Sequence, residues 1–249
     1  MRAAGLQGRV VLVTGSSRGL GRSLVLALAA EGVDVVINYL CDRQAAEQTA
    51  RQAQQQGVRV KTIQADVREW SQVQALMDSA VTHMGRLDGL VNNVGGFLQK
   101  PLQDLTPIEW LEMINSNLHS AYYGCKAVLP IMKQQRYGRI INIGVANADR
   151  LQAYSTIAAY AIAKTGVQIL TRSLAREVAA HSITVNMVSL GLMDTGLWSG
   201  VEKEEQIKKV PMGRLGSGAD FAAAVFYLLS DQANYITGAN LTVSGGWGV

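Results

Sequence analysis

The sequence is poor in residues that build covalent or metal cross-links. Its 249 residues include two cysteines, Cys41 and Cys125, and three scattered histidines, His83, His119 and His181. Neither set has metal-ligand or redox spacing, which argues against a disulfide framework or a zinc site and fits reduced thiols. Long apolar runs are also lacking, so no membrane span is expected. Met1 to Arg9 lacks the apolar core of a signal peptide, and a soluble cytoplasmic protein is expected. Charge is sparse at 17%, the net charge is only +4, and Lys208-Lys209 is the sole basic pair. With no basic helix face carrying interleaved aromatics, a nucleic-acid surface is disfavoured. No linker, repeat or low-complexity segment interrupts the chain. Gln52-Ala53-Gln54-Gln55-Gln56 reads as a solvated helix end.

What is present is a hydrophobic fraction of 48%, enough for a sizeable core. Short β-rich runs at 10–14, 33–38, 58–65, 87–92, 138–144, 183–188 and 241–243 alternate with helical periods. The helices are expected at 20–30, 43–56, 73–84, 107–117, 118–135, 156–180 and 219–229. Alternating strands and helices, with apolar strands, predict an α/β fold: a doubly wound, Rossmann-like parallel sheet covered by helices on both faces. One domain is expected over residues 1–249, with a substrate lid at 190–218 that contains a charged helix from Glu202 to Lys209.

Thr14-Gly15-Ser16-Ser17-Arg18-Gly19-Leu20-Gly21 lies between the first strand and the first helix. Glycines there allow a pyrophosphate to approach the main chain, and the helix directs free N–H groups and its positive dipole end at the phosphates. After the second strand the chain reads Ile37-Asn38-Tyr39-Leu40, with no acid to hold a ribose 2′-hydroxyl and repel a 2′-phosphate. Arg18 is a candidate partner for that phosphate and Arg43 a second one. NADPH is therefore favoured, although Asp42 stands close enough to keep NADH open.

Tyr160 and Lys164 are four residues apart on a predicted helix and share a face. A neighbouring ammonium is expected to lower the tyrosine's pKa and make it an acid/base group. Tyr122 and Lys126 have the same spacing, but Tyr160 follows the fifth strand and opens the long helix, so Tyr160 is preferred.

These motifs, with Asp66-Val67, Asn92-Asn93-Val94-Gly95, Asn117 and the Tyr235-Ile236-Thr237-Gly238 and Gly245-Gly246 signatures, resemble the short-chain dehydrogenase/reductase family, closest to bacterial 3-oxoacyl-carrier-protein reductases. The resemblance runs from Gly8 to Trp247. It implies a cofactor site of Gly15, Ser17, Arg18, Gly19, Leu20, Gly21, Asn38, Tyr39, Asp66, Val67, Asn93, Val94, Gly95, Tyr160, Lys164 and Thr195. Asp66-Val67 would form the adenine pocket, and Thr195 would bond the nicotinamide carboxamide. Lys164 would hold the nicotinamide ribose, Asn117 would anchor a proton-relay water, and the protein would be a homotetramer paired partly through the helices that carry Asn117 and Tyr160.

The family's catalytic serine is missing. Counting back from Tyr160 reaches Asn147 and counting forward along the fifth strand reaches Val145, which implies a short insertion. Asn147 is the candidate oxyanion donor; its alternative is a loop residue bonding its own backbone. Leu190-Gly191 replaces the family's Pro-Gly, a change expected to loosen the hinge. Met193, Leu197, Trp198 and Met212 either line an apolar pocket or pack the lid. The leading expectation is an NADPH-dependent carbonyl reductase acting on a small molecule such as a 3-oxoacyl thioester. The competing one is a nucleotide-sensing protein with little catalysis, and a reductase of pterins or quinones is a further enzyme reading.

Overall fold

The computed structural model describes residues 5–147, 149–150, 152–196 and 198–248. The strands are β1 (Val10–Val13), β2 (Asp34–Tyr39), β3 (Val60–Gln64), β4 (Gly89–Asn92), β5 (Gly138–Val145), β6 (Ile183–Leu190) and β7 (Asn240–Val243). They form one seven-stranded parallel sheet in the order β3-β2-β1-β4-β5-β6-β7. The helices are α1 (Gly19–Ala30), α2 (Arg43–Gln54), α3 (Trp70–Met84), α4 (Pro107–Ile114), α5 (Ser120–Gln135), α6 (Ala158–Val178), α7 (Gly200–Lys208) and α8 (Gly218–Leu229).

The two-residue strand period divides the core. Val11 and Val13 join Leu24 and Leu28 of α1, Ala46 and Ala50 of α2 and Phe221 of α8 on one face. Val10 and Leu12 join Leu76 of α3, Val128 and Met132 of α5 and Val178 of α6 on the other. The inner strands are buried along their whole length except at Val145, the half-buried last residue of β5, as a sheet covered on both sides requires. The expectation of apolar strands fails at β3 and β7, where polar and half-exposed residues alternate. Both are edge strands, and edges carry polar residues that discourage further pairing. β3 is shorter than the sequence reading, and β7 is one residue longer.

The strand order reverses between β1 and β4. In an open parallel sheet such a switch leaves a crevice beyond the carboxyl ends of the two strands, because their connections leave in opposite directions. Buried polar side chains frame this crevice. Asn38 accepts from the Gly15 backbone N–H at 3.1 Å and donates to the Ala65 carbonyl at 3.0 Å, so one side chain ties β2 to the glycine turn and to the end of β3. Asn92 donates to Asn142 Oδ1 at 2.8 Å, and Asn142 donates to Thr171 Oγ1 at 2.9 Å. That chain fixes α6 against β4 and β5.

Candidate active site

The glycine turn supplies the first wall of the site. No side chain caps α1, so its leading N–H groups remain available. Gly19 has φ +57° and open space on its side-chain side, where an anionic ligand can approach. Gly21 is needed for a different reason: a methyl group there would lie 2.7 Å from both Asn93 Nδ2 and the Gly15 carbonyl. Asn93 and Val94 are fastened to the turn, since the Asn93 amide donates to the Thr14 carbonyl at 2.9 Å and the Val94 N–H to Thr14 Oγ1 at 3.2 Å.

A cleft of about 210 Å³ runs from this turn, lined by Gly15, Asn38, Asp66, Val67, Val94 and Gly95 among others. An elongated phosphate-bearing dinucleotide fits this set of residues, with backbone donors at α1 and polar side chains further along. Six of the residues expected to bind the cofactor therefore line one cleft. Ser17 is buried beside it, with its carbonyl accepting from Thr49, while Leu20 is half-buried and Arg18 is exposed. Asn38 contributes mainly as a strut, because its amide is engaged with the backbone. Tyr39 is 7% exposed and packs in the core with Ala46 and Ala50, so the residue that reaches the cleft after β2 is Leu40. The strand's alternation, extended by one residue beyond the expected end, accounts for the difference.

The Arg18 carbonyl accepts from the Arg22 N–H at 3.1 Å, while its side chain forms no hydrogen bond or ion pair among the described residues. Arg43 is paired with Glu47 at 2.7 Å along α2. Asp42 caps α2 by accepting from the Ala45 N–H at 2.9 Å, which gives that acid a structural task.

The cleft leads through Gly95 to the titratable groups. A methyl group on Gly95 would lie 2.7 Å from Asn117 Oδ1 and 3.2 Å from Lys164 Nζ, so both side chains converge on this backbone. Asn117 sits in a π-helical turn, Asn115–His119, between α4 and α5. Its amide donates to the Gly96 carbonyl at 2.9 Å and the Met113 carbonyl at 3.0 Å, leaving Oδ1 buried and unpaired. Lys164 is 4% exposed and donates to the Ile143 carbonyl at 2.8 Å. The Tyr160 ring meets the 63% exposed Phe97 edge-on, with centroids 5.2 Å apart. Tyr122 lies on the surface of α5 and accepts from Lys126 at 3.3 Å, outside this convergence.

The electrostatics differ from the sequence expectation. Burial pushes the Tyr160 phenol up to about 12 and the Lys164 ammonium down to about 8. The expected lowering of Tyr160 by Lys164 is not seen, because burial is the dominant effect. The ammonium stands 5.7 Å from the ring centroid, and desolvation disfavours phenolate and ammonium alike.

Asn147 follows β5 with φ +75°. Its side chain packs against the carboxyl-terminal backbone, where a methyl group on Gly248 would come within 2.6 Å of Nδ2. Its Oδ1 is buried without a partner, and its own carbonyl accepts from the Arg150 N–H at 2.9 Å. The Asn147 amide thus lies beside Gly248, and the bond within this loop is made by its backbone carbonyl. Val145 instead packs with Val167 and Met187.

The lid expected at 190–218 is pinned at its base. Leu190 continues β6, its carbonyl accepts from the Ala146 N–H at 2.9 Å, and the Gly191 N–H donates to Val243 at 3.0 Å. Both bonds use groups that a Pro-Gly pair would also present, the carbonyl of residue 190 and the Gly191 N–H, and they tie the hinge to the sheet. Asp194 pairs with Lys203 of α7 at 2.7 Å, and Met193 bridges to Gly216 and is buried. Thr195 and Met212 are exposed and Trp198 is half-buried, while Leu197 lies outside the described residues. Sequence reasoning missed Phe97, Arg68 and Glu112 at this site; the Asp66-x-Arg68 spacing was the available signal for one of them.

A family model described as Enoyl-(Acyl carrier protein) reductase matches residues 15–248. The chain belongs to the short-chain dehydrogenase/reductase family. It is similar to a 3-oxoacyl-[acyl-carrier-protein] reductase of Pseudomonas aeruginosa, with 39% identity over 97% of this chain and 98% of that protein. It is also similar to 3beta-hydroxysteroid dehydrogenase 1 of Eggerthella lenta, with 36% identity over 97% of this chain and 94% of that protein. Among solved structures, a Serratia marcescens short-chain dehydrogenase/reductase matches with TM-score 0.92 and 35% identity over 98% of this chain and 99% of that one. A blue fluorescent protein from a metagenomic library, solved in complex with NADPH, matches with TM-score 0.90 and 33% identity over 98% of this chain and 100% of that one. The protein is thus an NAD(P)-dependent short-chain oxidoreductase. Among its described residues, no helix is long and apolar enough to cross a membrane.

The buried lysine gives a stability test. Its folded pKa of about 8 lies below the ordinary 10.5, so the unfolded chain holds more protons between those values and stability rises with pH there. At neutral pH, Lys164→Met should stabilise the fold by about 1–3 kcal/mol, allowing for the donor lost to Ile143. The difference from wild type should shrink as pH rises from about 8 to 10.5 in urea titrations. A gap independent of pH would contradict the burial argument.

Proposed function

We propose that this protein is an NADPH-dependent reductase that delivers hydride to the carbonyl of a small molecule, with 3-oxoacyl thioesters as the leading substrate class. The observation that carries this reading is the convergence of Lys164, Asn117 and the Gly95 backbone at the end of the cleft, with Tyr160 one turn from Lys164.

A bound reduced nicotinamide supplies the hydride. Tyr160 keeps its proton at neutral pH, because its pKa stands near 12, and a protonated phenol suits reduction. It passes that proton to the carbonyl oxygen as charge develops there. Lys164 holds the nicotinamide ribose and, when charged, steadies the phenolate left on Tyr160. The unpaired Asn117 Oδ1 beside Lys164 is a ready acceptor for a water through which protons return. Asn147 offers an amide where the family has serine, and turning it from Gly248 toward the substrate would let it donate to the oxygen. Thr195 is free to reach the carboxamide from the exposed loop before α7.

The relatives support the carbonyl chemistry but divide on substrate, since the acyl-carrier-protein reductase and the steroid dehydrogenase are nearly equally similar. Exposed Phe97 against Tyr160 favours an apolar group beside the reacting carbon. Exposed Ile162 and Ile169 on α6 and Tyr122 on α5 support self-association through those helices, as a homotetramer would need. A sensing role without turnover would leave the buried lysine and its neighbours without a task, so the enzyme reading is preferred.

Two experiments test this. Oxidation of NADPH should be seen with a panel of 3-oxoacyl thioesters and other ketones. Tyr160→Phe should lower kcat by about 10²–10⁴ with little change in NADPH affinity, whereas Tyr122→Phe should leave it near wild type. Equal losses in two well-folded variants would reject the choice of tyrosine. Fluorescence titration should also show tighter binding of NADPH than of NADH, and Arg18→Ala should narrow the gap. A preference for NADH would overturn the role of Arg18, which has no competing partner among the described residues.

A further inference from the structure

The amino ends of β5 and β6, opposite the cleft, bury a guanidinium that the dinucleotide chemistry does not use. Arg139, the second residue of β5, is 4% exposed. Its Nη1 donates to two neutral carbonyls, Gly138 at 3.0 Å and Ser182 at 3.3 Å. Its Nη2 stands 3.6 Å from a carboxylate, that of Asp231. Asp231 keeps about half of its side chain in solvent and also accepts from Arg9 at 3.3 Å and from the Tyr137 hydroxyl at 3.1 Å. One face of the Arg139 guanidinium covers the Tyr137 ring, with Cζ 4.3 Å from the centroid. Its Nε is buried and, among the described residues, has no hydrogen-bond partner.

Thr184 pairs with Arg139 in the β5–β6 ladder, so the two side chains leave the same face of the sheet. Ile141 and Val188, further along the same alternation, place that face against α8. Thr184 is also 4% exposed, and its Oγ1 is likewise buried and unpaired among the described residues. Two unmet donors at neighbouring positions ask for one acceptor. Local charge decides its kind. The ion pairs at this end join three guanidiniums, Arg9, Arg86 and Arg139, to two carboxylates, Asp88 and Asp231. Arg139 is the most deeply placed of the three, with 5% of its side chain exposed against 24% and 46%. A buried cation with a weak counter-charge is costly. A water would meet both donors and leave the charge as it is, whereas an anion meets both and offsets it. A tetrahedral oxyanion would bury more acceptor oxygens than two donors can satisfy, so a monatomic anion fits best.

We propose that Arg139 Nε and Thr184 Oγ1 form an internal halide site, filled by chloride in solution, at the end of the sheet opposite the catalytic cleft. The ion neutralises Arg139 and joins β5 to β6 through their side chains, so it stabilises the fold without entering the reaction. The site stands independently of the cofactor and substrate readings above.

The test has two arms. In the first, urea unfolding of the full-length protein is followed at fixed protein concentration and fixed ionic strength while chloride replaces gluconate. The folding constant should rise as one plus the ratio of chloride to its Kd, about elevenfold at ten times Kd. Thr184→Val keeps the shape and removes the hydroxyl, and should lose most of that dependence, while Thr184→Ser should keep it. General salt effects act on all three chains alike, so the difference between them is the readout. In the second arm, crystals of the wild-type protein are grown in sodium bromide and the anomalous signal of bromine is mapped. A peak within contact of Arg139 Nε and Thr184 Oγ1 is expected. A peak at that place without anomalous signal would identify a water and overturn the proposal. A bromide peak with equal chloride dependence in wild type and Thr184→Val would mean an adventitious ion only, and would overturn it too. If Thr184→Val does not fold, the wild-type bromide map decides alone.

Discussion

A lysine ammonium buried between β5 and α6 governs the chemistry open to this fold. Lys164 meets one neutral carbonyl at 2.8 Å and, among the described residues, no carboxylate, and burial moves it down to about 8. A group in that position is held at the margin between its two protonation states. The same desolvation holds the Tyr160 proton in place. The cleft therefore presents an acid and a poised cation beside Gly95.

The frame around these groups is built from buried amides rather than ion pairs. Asn38 joins the glycine turn to β2 and β3, and the Asn92–Asn142–Thr171 chain joins β4, β5 and α6. Each amide satisfies neighbours on two elements at once, so displacing any element leaves a buried polar group unpaired. The crevice at the strand-order reversal is consequently held in shape from both sides. Charged pairs take over only at its outer end, where Arg68 ties Asp66 to Glu112.

Much of this was legible in the sequence because it is encoded locally. The glycine turn, the tyrosine and lysine one helical turn apart, and the strand-helix alternation each follow from spacing within a few residues. They carry the sheet and its connections, and they place Tyr160 and Lys164 on one helix. What escaped was set by contacts between distant segments. Glu112 reaches Arg68 from another helix, and Gly248 meets Asn147 from the far end of the chain. Tyr39 turns into the core because β2 runs one residue further than its apolar pattern suggested. Leu190 pairs with Val145 of β5 and Val243 of β7, two partners far from it in the chain. The pKa of Tyr160 was misjudged in direction, since proximity to Lys164 is visible in the sequence and desolvation is not.

The most direct test of this account is the titration of Lys164 itself. The protein labelled at lysine ε-carbons would be followed by carbon NMR across the alkaline range in the absence of cofactor, with Lys164→Met assigning the resonance. The account predicts a midpoint near 8, well below the surface lysines. A midpoint at the ordinary value near 10.5 would contradict it, because the ammonium would then be solvated or paired and the site would not be poised as described.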